Sequence, residues 1–163
     1  MGEIYAAAGS RFFIGGQMTP ETDMVEADFD SETWVEVDPV EGFGEFGDEA
    51  EEVTFNALNR GRVQKLKGTR NAGTLSVVAA KNDADEGQEA MLDAEATNNN
   101  YAFKIEYPDS PEGGTPSTDY FVGLVMSKRV TGGDGANNVL LRNFNVGINS
   151  NIVEVAAAAG GGT

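Results

Sequence analysis

The sequence predicts a mainly β domain, a sandwich or barrel carrying one short flanking helix. Short runs with a hydrophobic period of two recur along the chain, turn-rich clusters separate them, and only one segment has a helical composition. The runs RFFIGG (11–16), MVEADF (24–29), TWVEV (33–37) and EVTFNAL (52–58) are the weaker strand signals. TLSVVAA (74–80), YAFKIEY (101–107), YFVGLVMSKRV (120–130) and VLLRNFNVGI (139–148) are the stronger ones. In YAFKIEY, Tyr101, Phe103, Ile105 and Tyr107 fall on one face and Ala102, Lys104 and Glu106 on the other. In VLLRNFNVGI, Leu140, Phe144, Val146 and Ile148 share one face, and Asn143 and Asn145 share the opposite one with Asn149. Turn chemistry separates the runs at Gly15-Gly16, Asp38-Pro39, PDSPEGGTPSTD (108–119) and TGGDGANN (131–138).

The helical segment is NDADEGQEAMLDAEATNNN (82–100), which predicts a helix over about 83–97. Asp83 with Glu86 three residues on has capping-box spacing, acids crowd the first turn where the helix dipole favours them, and Asn98–Asn100 stop it. Residues 1–155 are expected to form a single domain, of a size that buries roughly 70% of its unfolded surface. The Ala/Gly-rich stretch AAAAGGGT (156–163) is expected to be a flexible tail.

Composition narrows the chemistry. The chain has no cysteine and no histidine, which removes disulfides, thiolate chemistry, Ser-His and Cys-His nucleophile arrangements and the commonest metal ligand. Carboxylate chemistry is the enzymatic option left, and no particular pair among the 27 acids stands out. DADEG (83–87) has the opening of a calcium loop, but Ala94 stands where the bidentate Glu is needed. Asp28, Asp30 and Glu32 alternate and read as a solvated acidic face rather than a cation site. GGDGANN (132–138) lacks the Lys-Ser/Thr of a phosphate loop, and Trp34 reads as a packing residue. The expectation is a chain with no catalytic residues, cofactor or metal. No stretch approaches the ~18 apolar residues of a membrane helix, no signal-peptide pattern opens the chain, and Met1-Gly2 is a weak myristoylation cue with Ala6 where Ser or Thr belongs.

Charge is segregated. The formal net charge is −16, and residues 1–59 hold fifteen acids against one base, Arg11. An acidic half of this kind argues against general DNA binding, which draws its affinity from neutralising phosphates. EGFGEFGDEAEE (41–52) is acidic through Glu45, Asp48, Glu49, Glu51 and Glu52 as well as Glu41. RGRVQKLKGTR (60–70) follows with Arg60, Arg62, Lys65, Lys67 and Arg70 and no acid. The basic block can be read as a phosphate site, which the flanking acids oppose, as an ordinary solvated loop, or as half of an electrostatic pair between neighbouring copies, which would fix register in a head-to-tail assembly.

The collinear series Gly87-Gln88-x-Ala90-Met91-Leu92, Tyr101-x-Phe103-Lys104-Ile105-x-Tyr107-Pro108 and Phe121-x-Gly123-x-Val125-x-Ser127 resembles the major tail tube protein family of lambda-type long-tailed bacteriophages. The resemblance covers about residues 50–155 and, by order of elements alone, the first 49. It implies a β-sandwich with a flanking helix, and a long loop at about 40–72 that is mobile in the free subunit and orders on assembly. It further implies hexameric rings stacked into a tube in the virion, assembled in the host cytoplasm. The partners would be other copies of the chain, tail terminator and tail tip proteins, a tape-measure protein in the lumen, and genomic DNA passing through without specific binding. A net negative lumen lined by acidic and amide side chains is expected, with Asn143 and Asn145 as candidates. The alternative reading is a non-catalytic β-sandwich binding module that recognises carbohydrate or a cell surface.

Overall fold

The computed structural model describes residues 3–133 and 135–159; Met1 and Gly2, and the last four residues of the Ala/Gly-rich tail, lie outside the described residues. The elements are β1 (Arg11–Gln17), a single 3-10 turn (Glu26–Phe29), β2 (Val35–Val37), β3 (Val40–Phe43), β4 (Glu49–Phe55), β5 (Gln64–Asn71) and β6 (Thr74–Ala80). They continue with α1 (Glu86–Glu95), β7 (Tyr101–Glu106), β8 (Thr118–Thr131), β9 (Leu141–Ile148) and β10 (Val153–Val155).

One antiparallel sheet runs in the order β2-β1-β7-β8-β9-β6-β3, with β10 added to the first part of β8. Its two end strands, β2 and β3, are consecutive in the chain and joined only through Asp38 and Pro39. The ends of the sheet are therefore brought together, and the sheet curls round one core. Register shifts at Ile14/Gln17, Val40/Gly42 and Val125/Ser127 supply the local bends such curling needs. β6 and β9 alternate as the sequence predicts: Leu75, Val77 and Ala79 in β6 and Phe144, Val146 and Ile148 in β9 are buried, whereas Leu140, expected on that same face, precedes β9 and is exposed. Phe103 lies between Phe12 and Phe121, with ring centroids 5.7 and 5.5 Å away and both pairs stacked. Met91 and Ala94 of α1 join this core.

A second, smaller cluster covers the outer face of β7 and β8, where Met24 and Phe29 pack on Ala102 and Val122 beside Trp34 and Tyr120. This explains why residues 24–29 form a 3-10 turn instead of the expected strand. Asp28 accepts a hydrogen bond from the Val25 amide (2.9 Å), which closes the turn and sends Met24 and Phe29 into the same cluster.

The helix differs from expectation in its start. Asp85, not Asp83, is the cap: its carboxylate accepts from the amides of Gln88 (2.9 Å) and Asp38 (3.0 Å). Asp83 instead pairs with Lys81 (2.7 Å) and Arg142 (3.3 Å). Gly87 presses against the backbone of β2, where a Cβ would overlap the Glu36 carbonyl. Gln88 is fully buried; its amide donates to the carbonyls of Ala80 (2.7 Å) and Asp38 (3.1 Å) and accepts from Asn82 N (3.2 Å). One side chain thus ties the helix to the ends of β2 and β6. Gln88→Ala strands these buried groups and is expected to cost about 2–4 kcal/mol by urea denaturation; a loss below about 0.5 kcal/mol would show that water replaces the amide.

The Ala/Gly-rich stretch is tied down where it is described, since Ala158 and Thr115 exchange backbone hydrogen bonds of 2.8 and 3.1 Å.

Candidate assembly surfaces

The segment from 40 to 72, expected to be a long loop, contains β3 and a two-stranded antiparallel ribbon of β4 and β5. The physical reason lies in the acid–base adjacency itself. Glu52 lies opposite Lys67, and its carboxylate is 3.7 Å from the ammonium of Lys65. Asp48 and Arg70 meet at 4.0 Å at the base. Glu51 accepts from the Thr69 hydroxyl (3.3 Å), and Glu49 lies opposite Asn71. The acidic and basic blocks that sequence reasoning assigned to different copies therefore face each other within one chain. Each such exposed pair contributes under about 1 kcal/mol, so the pairs set register more than stability. Glu45 lies between β3 and β4 and is exposed, and Arg60 and Arg62 lie in the turn at the tip, in none of the ion pairs among the described residues.

The ribbon has a second face that the charges conceal in the sequence. Val53 lies opposite Leu66, with Phe55 two residues along on the same side. These three are 45–59% exposed, and Leu58 at the tip is fully exposed. A two-stranded ribbon is marginal in water on its own. One with a half-exposed apolar face offers a surface that a partner could cover.

Asn143 and Asn145 sit where the alternation put them, on the face of β9 opposite Phe144 and Val146. Register carries that face across three strands: Ser76, Asn145 and Ser127 form one row, and Val78, Asn143 and Arg129 the next. The Asn143 amide donates to Thr131 Oγ1 (2.7 Å). These rows hold hydroxyl and amide groups, the apolar Val78 and a single charge, that of Arg129; the Ser127 hydroxyl oxygen is itself buried. No acidic side chain lies in these rows.

The remaining candidates have local roles. Asp85 of the calcium-like run caps the helix, and Glu32 accepts from the Gly16 amide (2.7 Å). Trp34 packs in the second cluster, its ring 5.9 Å from that of Tyr120. A pair the sequence did not single out lies at the start of β8, where the Tyr107 hydroxyl donates to Asp119 at 2.5 Å. Burial, then the bond to Asp119, pushes the Tyr107 phenol well above its ordinary range, so it remains a donor. Burial, then the nearby Glu154 carboxylate, raises Asp119 despite that bond. A carboxyl raised in the folded state contributes stability that is fully present below its ordinary pKa and lost as pH rises through the raised value. Wild-type stability is therefore expected to fall from about pH 4 upward in a component that Asp119→Asn removes. Parallel pH–stability curves for the two proteins would contradict this.

Comparison of the sequence with protein-family models and with curated proteins gives no match. Solved structures do match over nearly the whole chain. A chain of the six-fold symmetrised anti-feeding prophage (AFP) baseplate has a TM-score of 0.66 at 12% identity, covering 96% of this chain and 98% of that one. A chain of the sheath/tube terminator of the PVC extracellular contractile injection system, in its extended state, has 0.67 at 9% identity, covering 95% and 99%. The SPP1 tail tube has 0.57 at 13% identity, covering 90% and 76%. The likeness thus reaches contractile injection systems as well as a phage tail tube, and is not particular to lambda-type tails. The chain has the mainly β, one-helix fold found in chains of tail-tube and contractile-injection assemblies.

Proposed function

We propose that this chain is a structural subunit that assembles with copies of itself into the hollow tube of a phage-like particle, either a phage tail or a related injection device. The observation that carries this reading is the whole-length fold match to chains of tube, terminator and baseplate assemblies, joined to a ribbon whose apolar face the described residues leave about half exposed. In this reading the subunits form hexameric rings that stack, and the rows around Asn143 and Asn145, whose one charge is Arg129, face the channel. Terminator, tip and tape-measure proteins are the matching partners, the virion is the matching location, and the genome passes along the lumen without being held. Hydroxyl and amide groups suit such a channel because they give a polyanion few cations to exchange for its counterions.

Negative-stain electron microscopy of concentrated protein tests this. Tubes of constant width, or rings of constant diameter, are expected. A protein that stays monomeric at millimolar concentration, with and without crowding agent, would overturn the reading.

A further inference from the structure

The ribbon tip and a cleft at the ribbon's base are complementary, and one copy cannot satisfy both. From Val53 to Arg70 the chain holds five bases and no acid, and Arg60 and Arg62 at the turn are in no ion pair among the described residues. Leu58 beside them is fully exposed. The tip is thus a cationic knob with an apolar side chain. At the other end of the ribbon a cleft of about 720 Å³ lies between residues 20–23, the ribbon base and residues 148–151. Glu21, Asp23 and Asp48 line it, with Arg70 as its one base. Arg70 is already 4.0 Å from Asp48, whereas Glu21 and Asp23 are in no ion pair among the described residues. The wall carrying these two acids is fixed in place, because Asn151 accepts from the Met24 amide (2.7 Å) and donates to the Met24 carbonyl (3.0 Å).

Strands of seven and eight residues hold the tip about 20 Å from the base, so a tip cannot reach the cleft of its own chain. We infer that the tip of one copy, through Arg60, Arg62 and Leu58, docks in the cleft of a second copy against Glu21 and Asp23. This rests on the self-assembly reading and names its contact. It also moves the partner surface, since the acids at 48–52 that could have served are engaged by the ribbon's own bases. A tip-to-base contact between different surfaces is heterologous, the kind that propagates into rings or stacks.

The absence of native cysteine makes cross-linking clean. Arg62→Cys and Asp23→Cys proteins, mixed under assembly conditions with a short bismaleimide, are expected to give a cross-linked pair at least tenfold more abundantly than Arg62→Cys mixed with Asp93→Cys on the exposed side of α1. Arg60→Glu/Arg62→Glu and Glu21→Lys/Asp23→Lys should each lower assembly at least tenfold at equal concentration, and combining all four should restore it to within about threefold. Cross-linking no better than the control, reversed variants that assemble like wild type, or loss without reciprocal rescue overturns the contact. If a reversed variant fails to fold, the cross-linking decides. Tubes that form normally while these tests fail leave the self-assembly reading standing; wild-type protein that never associates removes both.

Discussion

Phe103→Ala is expected to remove about 3–5 kcal/mol of folding stability, the range for deleting a buried aromatic side chain. Phe103 is completely buried and stacked between Phe12 and Phe121, which stand on the strands to either side of it. Truncation opens a ring-sized void that its two sheet-bound neighbours, Phe12 and Phe121, cannot collapse into. Against a typical total of about 5–15 kcal/mol, that is a large share. At roughly 2–4 °C per kcal/mol for a chain of this size, the melting temperature should fall by about 6–20 °C. Val139→Ala, at a position 64% exposed, is the control and should stay within about 0.5 kcal/mol. A Phe103→Ala loss below about 1 kcal/mol would mean the three rings do not form the centre of the core.

The parts of the fold that were legible in the sequence are those where one strand face alone meets the core. In β6 and β9 the period of two marks inside and outside without ambiguity, and Asn143 and Asn145 land on the expected face. β7 shows how a second layer blurs the signal: Ala102 points away from the main core but is still buried, beneath Met24 and Phe29. Residues 24–29 misled because Val25, Ala27 and Phe29 alternate like a strand, while Asp28 can close a turn by bonding backward to Val25. The helix start was misplaced by two residues because Asp83 and Asp85 both offer a capping carboxylate. Only the tertiary neighbours, Lys81 and Arg142 for one and the Asp38 amide for the other, divide the roles.

The ribbon is the most instructive miss. EVTFNAL (52–58) carries a weak strand signal that overlaps β4, but β5 has charges at Lys65, Lys67 and Arg70, so its local hydrophobicity reads as loop. The ribbon's apolar face appears only when Val53 is set opposite Leu66, a pairing between residues thirteen apart. The charge blocks were noticed, and their complementarity was real, but the simplest partner for an acidic strand is the basic strand that follows it. β3 and β10 escaped for a different reason: at four and three residues they are too short to show a period.

The last expected result concerns the channel. If these rows line the channel as proposed, Asn143→Lys/Asn145→Lys in assembled tubes should give them a hold on duplex DNA that the wild-type face lacks. The two positions lie in adjacent rows on β9, and Arg129 already stands opposite Asn143. Two lysines would make a three-cation patch on every subunit, repeated round each ring. Each phosphate neutralised adds about 0.9 to the slope of log affinity against log salt, so a site engaging six phosphates changes about 10³-fold between 50 and 200 mM. Co-sedimentation of short duplex DNA with preformed tubes should therefore show strong retention by the variant at 50 mM that disappears by 200 mM. Wild type, with Arg129 alone and a net charge of −16 per subunit, should retain little at either. Both substitutions replace side chains on the solvent face of a strand whose other face is core, so tubes should still form. Variant tubes with no salt-dependent retention would place these rows away from the channel, and wild-type tubes that already bind DNA at 200 mM would show that the lumen is not built to let a polyanion slide.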